Sequence, residues 1–177
     1  MRKVKVDLDE LVSAFDDGSP ELTFYLDTHT GEVVLVTDET RRALENIYEE
    51  MYDEGDELVV ASEEVLRQRK LPDWQQEELR TADLVEEGFG TRFVEVPKAE
   101  SRDGYSDMEA FIDTVQDRRF QNRLWRAIQG KGAFRRFKDT LFDDPGERER
   151  WFAFQNERVQ QRVLEWLEDE EIEPAEE

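Results

Sequence analysis

From Ser101 to about Glu170 the apolar residues recur every three or four positions, a period that restricts this stretch to amphipathic helices. A helix over about 105–116 carries Tyr105, Met108, Phe111, Ile112 and Val115 on one face. The next, over 118–129, places Phe120, Leu124 and Ile128 at four-residue steps, with Trp125 on the flank. Gly130-Lys131-Gly132 interrupts the pattern, and a helix over 133–142 turns Phe134, Phe137 and Leu141 inward. Asp144-Pro145-Gly146-Glu147 combines an N-cap residue, Pro at the first helical position and Glu at the third. It starts a last helix that runs to about Glu170, with Phe152, Val159, Val163 and Trp166 expected on its buried face. The acidic tail, residues 173–177, is expected to fray.

The first 98 residues change period more often. Residues 2–6 read as a short strand, and Asp7 as the N-cap of a helix facing inward through Leu8, Leu11, Val12 and Phe15. Residues 21–26 and 32–36 form a hairpin across Asp27–Gly31, which puts His29 at a solvated loop tip. Asp38 caps a helix to about Tyr52, and 58–60 is a short strand. Ser62 and Asp73 cap helices over about 63–70 and 73–87. Residues 91–96 alternate as a strand that Pro97 closes. The fold class is α+β: a small antiparallel sheet with helices over 1–98, and a helical bundle over 99–172. Periodicity leaves open whether the two parts share a core.

Composition removes several chemistries. There is no cysteine, so disulfides, thiolate metal sites and a Cys nucleophile are excluded. His29 is the only histidine, too few for a His-rich metal centre. No run approaches the ~18 consecutive apolar residues of a membrane span, and Met1-Arg2-Lys3-Val4-Lys5 turns acidic without an apolar signal region. A soluble cytoplasmic protein without membrane contact is expected, with no cofactor and no metal. The chain holds 46 Asp and Glu against 24 Lys and Arg, a net charge of −22, with few lysines. Such a surface suits a high-salt cytoplasm, where ions screen carboxylate repulsion. A GC-rich genome favouring Arg codons in an ordinary acidic protein gives the same counts.

The charge is unevenly spread. Residues 118–138 hold six Arg, two Lys and no acid, so this window is +8 and the remaining 156 residues carry −30. Helix geometry stacks Arg119, Arg123 and Arg126 in a ridge beside the Phe120 stripe. With Phe134 and Phe137 inward, Arg135 and Arg136 are expected to point out. Gly130 and Gly132 permit a tight reversal, and the amides opening the following helix are available to an anion beside Lys131 and Arg135.

Three readings of this island compete. It pairs with carboxylates of the same chain, such as Asp113, Asp117, Glu165 or Glu168. It binds nucleic-acid phosphates, with Trp125 or Phe residues available for stacking. Or it docks an acidic partner or a small phosphorylated ligand. Asp139, one turn from Arg135 and Arg136, is either an intrahelical ion-pair partner or a carboxylate that orients them.

The run Gly130-Lys131-Gly132-Ala133-Phe134-Arg135-Arg136-Phe137-Lys138-Asp139, preceded by Tyr105, Met108 and Phe111 and followed by Trp151-Phe152, resembles a widespread bacterial family catalogued as an uncharacterised protein family. The likeness spans most of residues 20–167, including Thr30-Gly31-Glu32-Val33, and leaves the acids at 168–177 outside it. The resemblance implies a small cytosolic bacterial or archaeal-type protein and carries over no reaction.

The expected function is binding rather than catalysis. Arg119, Arg123, Arg126, Gly130, Lys131, Gly132, Arg135, Arg136 and Lys138 are the candidate contacts to nucleic-acid phosphates or another anion. A protein–protein or regulatory module using the same surface is the alternative, and a carboxylate- or metal-dependent enzyme comes third.

Overall fold

The structure, a computed structural model, describes residues 1–53 and 63–175. The chain divides into two compact units, Met1–Lys98 with Leu167–Glu177, and Ala99–Trp166. The expected strand at 58–60 and the cap at Ser62 lie outside the described residues.

The first unit contains β1 (Arg2–Val4), α1 (Leu8–Asp16), β2 (Leu22–Asp27), β3 (Val33–Thr37), α2 (Asp38–Asp53), α3 (Glu63–Gln68), α4 (Asp73–Gly88) and β4 (Phe93–Glu95). Local chemistry sets most of these boundaries. The Asp7 carboxylate accepts from the N–H groups of Asp9 and Glu10 and so caps α1. Thr37 takes the capping role expected of Asp38, its hydroxyl accepting from Thr40 N–H at 3.1 Å. Pro72, not Asp73, precedes α4. The hairpin pairs antiparallel from Leu22 with Thr37 to Leu26 with Val33, and β4 adds on the other side of β2. Gly31 holds φ +82°, and a Cβ there would lie 1.8 Å from the Lys5 carbonyl oxygen. Tyr25, Val36 and Phe93 from the sheet pack with Leu44, Ile47, Leu66, Leu79, Ala82 and Val85 from the helices.

The C-terminal segment departs from expectation. Instead of fraying, residues 172–174 form β5 (Ile172–Pro174), which pairs parallel with β1 from Arg2 with Ile172 to Val4 with Pro174. Ile172 is buried. Arg2 N–H donates to the Glu171 carbonyl at 2.7 Å, and Ala175 N–H to that of Val4 at 2.8 Å. One apolar side chain and main-chain pairing suffice here, and neither leaves a period in an acidic run.

The second unit is helical: α5 (Ser101–Asp113), α6 (Arg118–Ala127), α7 (Ala133–Leu141) and α8 (Pro145–Asp169), the last running on into the first unit. Met108, Phe111, Ile112, Val115, Phe120, Leu124, Ile128, Phe137, Leu141 and Trp151 form its core. Phe111, Phe137 and Trp151 meet edge to face at centroid distances of 4.8–6.2 Å. Asp144 caps α8, its Oδ1 accepting from Glu147 N–H at 3.1 Å.

Two phenylalanines expected inward are not core residues. The buried positions of α8 are Trp151, Val159, Val163 and Leu167, multiples of four apart, which turns Phe152 outward and leaves Trp166 half-buried. The buried face of α7 is Ala133, Phe137 and Leu141, so Phe134 sits at its edge. There it lies over Gly104, where a Cβ would come within 2.9 Å of the ring.

Candidate functional site

The basic island occupies α6, the connection at 128–132, and α7. Asp117 caps α6 by accepting from Arg119 and Phe120 N–H at 2.9 and 3.1 Å. Its carboxylate is thereby committed to the backbone. Phe120, Leu124 and Ala127 are buried, and Arg118, Arg119, Arg123 and Arg126 are exposed. Gly130 and Gly132 both hold left-handed φ, +74° and +77°, the region that favours glycine.

Arg136 does not point away from the turn; it fastens it. Its Nε donates to the Ala127 carbonyl at 2.8 Å, and its two terminal nitrogens donate to the carbonyls of Gln129 and Lys131. Tyr105 Oη donates to the Ile128 carbonyl at 3.1 Å, and Gln129 Nε2 to that of Trp125 at 3.1 Å. Carbonyls that the end of α6 would leave without partners are thus taken by side chains. Helix side chains lean toward the N-terminus, which brings the long Arg136 fork back over residues 127–131.

The other cations divide by partner. Arg123 bonds Asp143 and lies 5.7 Å from the Phe120 ring centroid. Arg135 approaches Asp139 only to 4.0 Å, with nine-tenths of its side chain exposed. Arg118, Arg119, Arg126, Lys131 and Lys138 make no side-chain hydrogen bond or ion pair among the described residues. The pairs expected with Asp113, Asp117, Glu165 and Glu168 are not formed, and Glu165 accepts from Gln161 instead. An open depression of about 390 Å³ lies between α6 and α7, lined by Arg123, Arg126, Ala127, Arg136, Asp139 and Thr140. Three guanidinium groups thus line one hollow, and Arg126 has no partner there among the described residues.

Some arginines elsewhere are held by buried carboxylates. Arg158 and Arg162 of α8 both donate to Oδ1 of the buried Asp107, at 2.9 and 2.5 Å. Arg92 donates to both oxygens of buried Asp27, its Nη2 at 2.5 Å and its Nε at 3.0 Å. Burial pushes the Asp27 pKa up, but the Arg92 hydrogen bonds and charge and the N–H groups of His29 and Thr30 outweigh it and hold it at about 2. Sequence reasoning missed both carboxylates, since Asp107 and Asp27 look like any other acids in a chain with 46 of them. His29 is exposed in the turn. Trp125 is half-buried against the core. Among the described residues no group of three or more His, Asp or Glu could hold a metal ion, and no helix is long and apolar enough to cross a membrane.

Over 175 residues the chain is 27% identical to the UPF0158 protein of Pseudomonas aeruginosa, covering 99% of this chain and 89% of that one. It is 24% identical over 159 residues to a UPF0158 protein of Chlamydia trachomatis, of which it covers 38%, and 23% identical to one of Chlamydia muridarum, of which it covers 37%. No solved structure is significantly similar to it. The uncharacterised protein family UPF0158 matches residues 65–177, which takes in the whole basic island and also the acidic C-terminal segment that the resemblance had left out. The chain belongs to the uncharacterised protein family UPF0158.

Proposed function

We propose that this protein binds nucleic-acid phosphates through the hollow between α6 and α7. The observation that carries the reading is Arg126, exposed and without a partner among the described residues, between Arg123 and Arg136, in a chain with almost two acids for every base. Arg119, Lys131, Arg135 and Lys138 extend the positive surface, and the amino end of α7 adds its partial charge. Gly130, Gly132 and Arg136 serve the site indirectly by holding the turn. The −30 background confines contact to this strip and belongs to a soluble cytoplasmic protein adapted to high salt.

The test is a titration of the full chain with a labelled single-stranded oligonucleotide at low and moderate salt. Arg119→Glu with Arg126→Glu should weaken binding by about tenfold or more and flatten the salt dependence, because each phosphate contact contributes about −0.7 to the log–log slope for single strands. A wild-type chain that binds no oligonucleotide at low salt overturns the reading. The Arg123–Asp143 pair favours a second reading, an acidic protein partner, since it shows a carboxylate already seated on this surface.

A further inference from the structure

We propose that Phe142 and Phe152, with Arg148 between them, form a base-stacking platform that makes the surface selective for unpaired nucleic acid. This rests on the phosphate-binding reading above and specifies its ligand. Phe142 and Phe152 are 60% and 52% exposed. Neither takes part in the edge-to-face cluster of Phe111, Phe137 and Trp151 in the core. The Arg148 guanidinium carbon lies 4.2 Å from the Phe142 centroid and 5.5 Å from that of Phe152. Its side chain makes no hydrogen bond or ion pair among the described residues. Neighbouring Glu147 is engaged by Arg150 at 2.8 Å.

Two exposed phenylalanines flank a cation with no carboxylate partner among the described residues, and chain continuity places Phe142 beside the hollow. Phe142 directly precedes Asp143, whose carboxylate holds Arg123 on the wall of that hollow. Flat π-faces next to guanidinium groups match a ligand that alternates bases with phosphates. A duplex buries its base faces in its own stack, so the rings engage bases only where the strand is unpaired. An apolar protein partner would use the rings but leave Arg148 and the Arg126 hollow without counter-charges.

The experiment compares three probes on the full chain: a short single-stranded RNA, its blunt duplex, and inorganic polyphosphate, which has the charge but no bases. The single strand should bind best. Phe142→Ala with Phe152→Ala should weaken the single strand by about 5- to 150-fold and leave polyphosphate unchanged. Phe142→Leu with Phe152→Leu, which keeps the apolar surface, should lose as much, and melting curves confirm that both variants fold. A single strand bound no better than its duplex overturns the proposal. So does a double-Ala variant that binds RNA like the wild type, which would assign the rings to a protein partner. Single strand and polyphosphate bound equally well removes only this proposal, whereas a wild-type chain that binds neither nucleic-acid probe removes the nucleic-acid phosphate reading as well.

Discussion

Arg136 shows how far spacing reaches at the scale of single residues. Periodicity placed it on the open side of α7, which is correct for its backbone. Its five-donor fork returns to the carbonyls of Ala127, Gln129 and Lys131 because long helix side chains lean toward the preceding turn. Arg136→Ala should therefore destabilise the chain by about 2 kcal/mol in urea denaturation, a charged donor losing its acceptors. Arg136→Lys should restore little of this, since a point ammonium cannot span three carbonyls. A binding defect in an Arg136 variant thus reports on the turn, and Arg126 is the cleaner probe of the ligand. Asp27 gives a second residue-scale outcome. Its folded pKa of about 2 lies below the ordinary value of about 3.9, so its contribution is fully present above that range. As pH falls through 4 toward 2, about 2 kcal/mol is lost. The stability gap between wild type and Asp27→Asn, measured against pH, should be flat above about pH 5 and close toward pH 2.

Among elements, those written in local chemistry were legible and those made by distant partners were not. The caps at Asp7 and Asp144, the four-residue stripe of α6 and the glycine break before α7 each act within one turn of helix, and their boundaries fall within a few residues of expectation. The face of α8 differs from expectation by one position at Phe152 because Trp151 and Phe152 both fit a helical stripe, and only the packing of Trp151 on Phe111 and Phe137 decides between them. The pairing of β1 with β5 had no sequence signal, since it joins opposite ends of the chain through main-chain bonds. The fastening of α8 to α5 is similar: Asp107 meets Arg158 and Arg162 across more than fifty residues. Asp107→Ala leaves two guanidinium groups without their carboxylate and should cost about 3 kcal/mol. Asp107→Asn should recover part of that loss in the same denaturation assay.

For the whole molecule the net charge is the sum of a −30 background and a +8 island, and salt should act on the two in opposite directions. Potassium chloride screens the repulsion among carboxylates, so the melting temperature should rise from dilute buffer to molar salt. Over the same range oligonucleotide affinity should fall as counterions compete for the Arg126 hollow. A melting temperature that does not rise with salt would count against high-salt adaptation while leaving the island's role intact. The division into units has a further consequence, for synthesis. Residues 99–166 are one uninterrupted stretch, so the helical unit emerges from the ribosome whole and is ready to pack as soon as its last turn clears the exit tunnel. The first unit is begun before it but lacks Leu167 and β5 until those later residues are made, so the unit started before the helical one is completed after it.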